Sequence, residues 1–135
     1  MAMGDALAKM YLRPGAVLLS HRFEFEQHSK AKFCIVLEDY DGGRETTIVA
    51  LTTSNPQHRG KPWVVTIPVG LGGIQGGDGY LDCNNYFELP SSELAAASRY
   101  RYLGQLPEDL VEEIYLALEE AYKVPEALLV RIFGE

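Results

Sequence analysis

The sequence predicts an α+β protein, mainly β, in which a small barrel or curled antiparallel sheet packs against a C-terminal helix. Two observations lead to this fold class. Five or six short runs rich in β-forming residues follow one another between Ala16 and Leu89, separated by proline, glycine and charged residues. A longer segment with helical periodicity follows at Pro107–Tyr122. The 135 residues suffice for one domain of ordinary size, so we expect a single domain over residues 1–135.

The individual strands are predicted from composition and from the breaks around them. AVLLS at 16–20 follows Pro-Gly, and the polar stretch after it alternates at Phe23 and Phe25 as a half-buried strand does. The runs 33–38 and 46–52 flank DYDGG, in which Asp and Gly favour a tight turn, so they should form a hairpin. WVVTI at 63–67 lies between two prolines, and residues 80–89 fit one or two short strands.

The helix Pro107–Tyr122 is predicted from both its ends and its faces. Proline suits the first turn, and Glu108 and Asp109 complement the positive end of the helix. An apolar stripe recurs at helical spacing, and glutamates occupy the other face, which we interpret as solvated. The final apolar run ALLVRIF, after Pro125, fits either a last strand or a short helix.

The net charge of −7 argues against a nucleic-acid binder, but the charge is unevenly distributed. Residues 1–107 carry ten basic and eleven acidic side chains, whereas residues 108–135 carry two basic and eight acidic ones. The acidity therefore belongs to the C-terminal segment, and contact with nucleic acid by the first part remains open. No apolar run approaches the roughly 18–20 residues of a membrane span, and the N-terminus does not have the pattern of a signal peptide, so we expect a cytoplasmic protein without membrane contact.

Motifs for metal, phosphate or thiol chemistry are absent from the sequence. The three histidines lack the spacing of a zinc site, so we predict no metal and no cofactor. Six glycines occur between Gly70 and Gly79, without the lysine of a phosphate-binding loop, and we interpret them as a hairpin connection. Cys34 lies in an apolar run and should be a core residue, whereas Cys83 precedes two asparagines and is expected to be more exposed.

The order of several short motifs resembles the MazF/PemK-like family of toxins from toxin–antitoxin systems. Members of that family have Pro/Met-Gly-Asp before the first strand, Glu-Gln in the first loop, Arg-Pro before the next strand, a strand ending in threonine, and a Gly-Lys-Leu segment before the final helix. The corresponding positions here are Pro14-Gly15-Ala16, Glu26-Gln27, Lys32-Phe33, Thr52-Thr53 and Gly104-Gln105-Leu106. The resemblance covers roughly residues 13–122, and the ordered set carries it rather than any single motif.

The resemblance implies an SH3-like barrel with a C-terminal helix, a homodimer, and cleavage of single-stranded RNA without a metal. It assigns catalytic roles to Lys32 and Thr52. His28, in the same presumed loop, is a further candidate as an auxiliary acid or base, because histidine titrates near neutral pH. The resemblance also suggests RNA contacts for the neighbouring polar residues Arg22, Gln27, Lys30, Thr53 and Ser54. An antitoxin-like protein is the expected partner.

Lys32 departs from the family pattern because it stands where the family has arginine. Lysine keeps the charge but lacks the planar fork that binds phosphate through two hydrogen bonds. An alternative is therefore a catalytically inactive barrel that binds a protein or a nucleic acid. A third hypothesis is an enzyme of another class, in which the glycine-rich segment closes over a small ligand.

Overall fold

The computed structural model describes residues 9–20, 33–53, 55, 57, 59–68, 70, 79–95 and 100–133. Within these ranges the strands are β1 (Ala16–Ser20), β2 (Phe33–Val36), β3 (Thr46–Thr53), β4 (Val64–Thr66), β5 (Tyr80–Pro90) and β6 (Tyr100–Gln105). The helices are α1 (Ser91–Leu94), α2 (Glu108–Glu120) and α3 (Glu126–Phe133). The strand predicted around Phe23 and Phe25, and most of the glycine-rich segment, lie outside the described residues.

The six strands form one antiparallel sheet in the order β4-β5-β3-β2-β1-β6. The α+β class and the antiparallel, barrel-like arrangement are therefore confirmed, but the sheet is not closed. Its edge strands in the described part of the chain are β4 and β6, which do not pair with each other. The predicted hairpin is present, since Cys34, Ile35 and Val36 pair with Leu51, Ala50 and Val49.

Both faces of the central strands are buried, which explains why β1, β2 and β3 are continuous apolar runs without strict alternation. On one face, side chains such as Val17, Ile35, Ile48 and Leu81 pack with α2 and α3. We call this the helix-side core. The other face carries a second core, whose buried members are Leu12, Ala16, Leu18, Cys34, Val36, Val49, Leu51, Leu94 and Tyr100.

Helix α2 packs the predicted apolar stripe on the sheet, with Leu110, Ile114, Ala117 and Leu118 buried. It is shorter than predicted at both ends. Pro107 is the cap residue, with an extended ψ of 155°, and Ala121 leaves the helical conformation with a ψ of 102°, so Tyr122 lies beyond the helix. The open question about the final apolar run is answered by α3, a helix whose first turn carries Glu126 and whose last turn carries Arg131.

Arg131 fastens α3 to the hairpin through a buried ion pair. Its guanidinium donates to both oxygens of Glu38, at 2.8–3.1 Å, and to the backbone oxygen of Thr46 at 2.6 Å. Glu38 also accepts the backbone N–H of Ile48 at 2.9 Å. Burial acts to lower the pKa of Arg131, but the hydrogen bond and charge of Glu38, followed by Glu88, outweigh burial and raise that pKa. The arginine therefore stays charged, and it satisfies a carboxylate that is itself 3% exposed.

Candidate active site

One end of the sheet brings together chain segments that are far apart in the sequence. Because all neighbouring strands are antiparallel, the C-terminal ends of β1 and β3 lie beside the N-terminal ends of β2, β5 and β6. Thr52 and Thr53 are the last two residues of β3 at this end. The Thr52-Thr53 pair that the family resemblance identified therefore lies at the rim of the sheet.

Thr52 is buried, and its hydroxyl group has no hydrogen-bond partner among the described residues. The residue is 1% exposed, and its Oγ1 atom bonds to no other group in the structure as described. Thr52 pairs with Leu81, which in turn pairs with Val65, and both of these belong to the helix-side core. Since directly paired residues share a face of the sheet, the Thr52 side chain lies on the helix side.

A register shift between β3 and β5 sets the surroundings of this threonine. Ala50 pairs with Tyr86, but Thr52 pairs with Leu81, so several β5 residues bulge out between the two pairs. One of them, Asn84, also has a buried polar atom without a partner, its Nδ2. Its Oδ1 accepts the backbone N–H of Lys123 at 2.9 Å, just beyond α2. Two unsatisfied polar atoms therefore flank the same irregularity.

Unpartnered buried polar groups are uncommon because they lose their hydrogen bonds to water and gain none in return. For a hydroxyl the cost is about 1–3 kcal/mol on the scale of protein mutations. A core that served stability alone would favour valine at position 52, which has the same shape. The retained hydroxyl is the kind of feature that a substrate-binding site explains.

Thr53 is in a different situation, because its hydroxyl is used in a turn. Thr53 Oγ1 accepts the backbone N–H of Asn55 at 3.2 Å, and Asn55 Oδ1 accepts the N–H of Gln57 at 3.0 Å. Such local bonds end strands and shape the chain that follows. In this structure the hydroxyl of Thr53 therefore stabilises the turn, and any RNA contact would have to compete with that bond.

The other predicted site residues, Arg22, Gln27, His28, Lys30, Lys32 and Ser54, lie outside the described residues. The described chain resumes at Phe33, which follows Lys32 in sequence and starts β2. Phe33 pairs with Leu19 near the end of β1.

The remaining reactive groups do not suggest another kind of site. No group of three or more metal-ligating side chains occurs within the described ranges. Cys83 is fully buried, so the expectation that it would be more exposed was wrong: it lies on the inward side of β5 although its neighbours are polar. Burial, followed by the charge of Asp82, raises the pKa of its thiol from 9.0 to about 12, which suppresses the nucleophilic thiolate.

Two features of β6 were not predicted from the sequence. The Arg101 side chain is exposed and pairs with no described residue, and tyrosines flank it at 100 and 102. The alternation of aromatic and basic residues in YRY was the available signal. The position of these side chains depends on the pairing of β6 with β1, two strands that are far apart in the sequence.

Comparisons with known proteins agree with this geometry. A search among curated proteins gives no match. Among solved structures, the chain is similar to an endoribonuclease in complex with its cognate antitoxin from a Mycobacterial species, with a TM-score of 0.60 and 17% identity over 84% of this chain and 96% of that one. A second mycobacterial endoribonuclease matches with a TM-score of 0.58 and 18% identity, over 85% of this chain and 94% of that one.

The same fold is found in a MazE–MazF complex of Deinococcus radiodurans, with a TM-score of 0.56 and 20% identity over 80% of this chain and 91% of that one. At these identities the likeness establishes the fold. The family is established by sequence, because residues 17–122 match the family model of PemK-like, MazF-like toxins of type II toxin–antitoxin systems. The resemblance found in the motifs is thereby confirmed, and the chain belongs to the PemK/MazF-like toxin family.

Proposed function

We propose that this protein is a metal-independent endoribonuclease that cleaves single-stranded RNA. The observation that carries the proposal is the buried, unpartnered hydroxyl of Thr52 at the rim of the sheet, in a chain of the PemK/MazF-like family. Further support comes from the structural relatives, two of which are described as endoribonucleases.

The proposed reaction is attack by a ribose 2′-oxygen on the adjacent phosphorus. A bond forms between phosphorus and O2′, and the bond to O5′ breaks. A proton leaves the 2′-hydroxyl and another is delivered to the 5′-oxygen, so the products are a 2′,3′-cyclic phosphate and a 5′-hydroxyl. No oxidant, reductant or metal enters this balance.

In this scheme Thr52 orients or stabilises the oxygens of the pentacoordinate phosphorus, and Lys32 supplies positive charge to them. His28 or Lys30 takes part in the proton transfer, because an imidazole titrates near neutral pH and a desolvated amine can do so. Arg22, Gln27, Thr53 and Ser54 complete the contacts with RNA. Lysine in place of arginine weakens the electrostatic part of the scheme, so Lys32→Arg should raise the cleavage rate.

The test is incubation of the purified protein with a pool of single-stranded RNAs in the presence of a chelator. Cleavage should persist with chelator, leave cyclic phosphate ends, and disappear in Thr52→Ala. Intact RNA after incubation with wild-type protein at high concentration would refute the proposal. Cleavage that survives Thr52→Ala would refute the assignment of the residue.

A second candidate is the same fold acting as a non-catalytic binding module. Two observations favour it: Thr52 is only 1% exposed, and the expected arginine is Lys32. This candidate predicts RNA binding or capture of a protein partner with no cleavage under any condition. The incubation described above separates the two candidates.

The proposed partners follow from the relatives. Structures of relatives with a cognate antitoxin or with MazE support an antitoxin for this chain, and we also propose a homodimer. Light scattering after gel filtration measures the dimer, and co-purification of a small partner protein from the native host tests the antitoxin. No helix within the described ranges is long and apolar enough to cross a membrane. We infer that the protein acts in the cytoplasm, where RNA is available.

A further inference from the structure

A cavity of about 390 Å³ opens at the β6 edge of the sheet. Its wall is aromatic. Tyr11 and Tyr102 stack with ring centroids 4.6 Å apart and an angle of 25° between the ring planes. Tyr100 completes the aromatic lining, and Leu18 and Leu94, both almost fully buried, form an apolar floor. The cavity therefore offers a flat, partly apolar surface of the kind on which nucleobases stack.

Among the described residues that line this cavity, Arg101 is the one cation. Within the part of the chain that the structure describes, no carboxylate pairs with its guanidinium, and its side chain is exposed. This is unusual in a protein of net charge −7, in which Arg44 and Arg131 both bind carboxylates. A guanidinium that pairs with no described carboxylate and lies beside an aromatic wall matches the two parts of a nucleotide, because it can bind a phosphate while the base stacks.

The register of the sheet relates Arg101 to the candidate active site. Leu19 pairs with Arg101 on one side and with Phe33 on the other. Cys34 pairs with Leu51, so the next antiparallel row contains Phe33 and Thr52. Arg101 and Thr52 therefore belong to one transverse row of the sheet.

Residues that belong to one transverse row point to the same face of the sheet. The neighbouring row shows which face the row of Arg101 and Thr52 occupies. Tyr102, Leu18, Cys34 and Leu51 all contact the second core, so the row of Arg101 and Thr52 points to the opposite, helix side. Three strand steps separate β6 from β3, a path of about 14 Å at roughly 4.8 Å per step. Because β6 is an edge strand, the long Arg101 side chain can also reach around the edge to the tyrosine cavity, which it lines.

We propose that this cavity is a nucleotide subsite for the RNA substrate, in which a base more than one nucleotide away from the cleaved bond stacks on the tyrosine wall and Arg101 binds the adjoining phosphate. The proposal rests on the proposed function, because it assumes that RNA is the substrate. It adds stacking and one further cation to the RNA contacts proposed above for a protein of net charge −7. It also gives a role to an Arg101 guanidinium that pairs with no carboxylate among the described residues.

The test measures binding separately from cleavage, with short single-stranded RNAs whose riboses carry 2′-O-methyl groups and cannot be cleaved. Fluorescence anisotropy gives the dissociation constant for wild-type protein, Arg101→Gln and Tyr102→Leu. Tyr102→Leu should bind about five- to a hundredfold more weakly, which is the range for loss of a stacking contact. Arg101→Gln should also bind more weakly, and its affinity should depend less steeply on salt, because it loses a phosphate contact. Because Arg101 is exposed, its substitution should leave the thermal unfolding midpoint unchanged even if Tyr102→Leu lowers it.

Lys61→Gln is the matched control, since it removes the same charge close to β4, near the opposite edge of the sheet. This variant should bind RNA within twofold of wild type. Abasic substitutions along the RNA should reveal one position at which loss of the base weakens binding to wild-type protein but not to Tyr102→Leu.

Equal affinity of wild type and Arg101→Gln for an RNA that wild type cleaves would overturn this inference and leave the proposed function standing. Equal losses in Arg101→Gln and Lys61→Gln would also overturn it, by showing a general charge effect. Failure of wild type to bind or cleave any RNA would overturn the proposed function itself.

Discussion

The hydroxyl of Thr52 leads to a prediction about stability as well as activity. Thr52→Val replaces a buried hydroxyl by a methyl group of nearly the same size. Since that hydroxyl has no partner in the structure as described, the substitution removes a desolvation cost without breaking a bond. The prediction is that the variant is more stable than wild type while it loses RNA cleavage.

The expected magnitude follows from the burial of the side chain. At 1% exposure the hydroxyl loses essentially all of its contact with water, and an unpaired buried hydroxyl costs about 1–3 kcal/mol. Taking the lower end, because a packed strand can relax slightly, the free energy of unfolding should rise by about 1 kcal/mol. For a chain of this size that corresponds to an increase of roughly 3 °C in Tm.

Thr47→Val is the matched control in the same strand. Thr47 is also 1% exposed, but its hydroxyl lies 2.6 Å from the hydroxyl of Ser91. Valine there leaves Ser91 without this partner, so the free energy of unfolding should fall by about 1–3 kcal/mol. The two valine substitutions should therefore have opposite signs.

Urea unfolding followed by the fluorescence of Trp63, the single tryptophan, measures both changes. If Thr52→Val lowers the free energy of unfolding as much as Thr47→Val does, the Thr52 hydroxyl has a structural partner and the reasoning fails. If Thr52→Val is more stable and still cleaves RNA, the hydroxyl is unpartnered but has no catalytic role.

Three further predictions concern groups away from the site. Arg131→Met should lower the free energy of unfolding by about 3 kcal/mol, because Glu38 would keep its buried charge and lose its main partner. Thermal unfolding measures the change. A loss below about 1 kcal/mol would show that this ion pair does not hold α3 on the hairpin. Gly15→Ala should destabilise the protein strongly, because φ at this residue is +89° and the new Cβ would lie 2.6 Å from Cγ2 of Val111. Gly42→Ala is the control. Its new Cβ would lie 3.8 Å from the nearest atom of a non-adjacent residue, in Tyr40, so this variant should be nearly neutral in the same assay. Cys83 should resist iodoacetamide at pH 8 in the native protein and react on unfolding. The pKa of Cys83 in the folded protein, about 12, exceeds the ordinary value of 9.0. Its contribution to stability is therefore complete below pH 9 and is lost as the pH rises toward 12. A Cys83→Ala variant that lacks this alkaline loss of stability would confirm the cause.

The parts of the fold that could be predicted are those determined by local sequence. The hairpin follows from DYDGG, in which Asp41 Oδ1 accepts the N–H of Gly43 at 2.8 Å and forms the turn. Helix α2 follows from its apolar stripe and its proline, and the structure moves only its ends. The final apolar run could not be assigned, because seven residues of this composition fit a strand or a helix equally well.

The parts that could not be predicted depend on contacts between distant segments. Cys83 was expected to be exposed because Asn84 and Asn85 follow it, but its burial is decided by which face of β5 it occupies. Thr52 was identified through the family resemblance, yet the lack of a partner for its hydroxyl depends on the register shift between β3 and β5. Arg101 gains its place beside the site only from the pairing of β6 with β1.

The central claim is that this protein cleaves single-stranded RNA without a metal and that the Thr52 hydroxyl orients or stabilises the oxygens of the reacting phosphorus. One comparison tests it most directly. It measures the single-turnover cleavage rate, in the presence of chelator, for wild type, Thr52→Ser and Thr52→Val on the same RNA. The proposal predicts cleavage by wild type, partial activity in the serine variant, which keeps the hydroxyl, and a loss of at least about a hundredfold in the valine variant. Equal rates for wild type and Thr52→Val, or no cleavage by wild type, would contradict it.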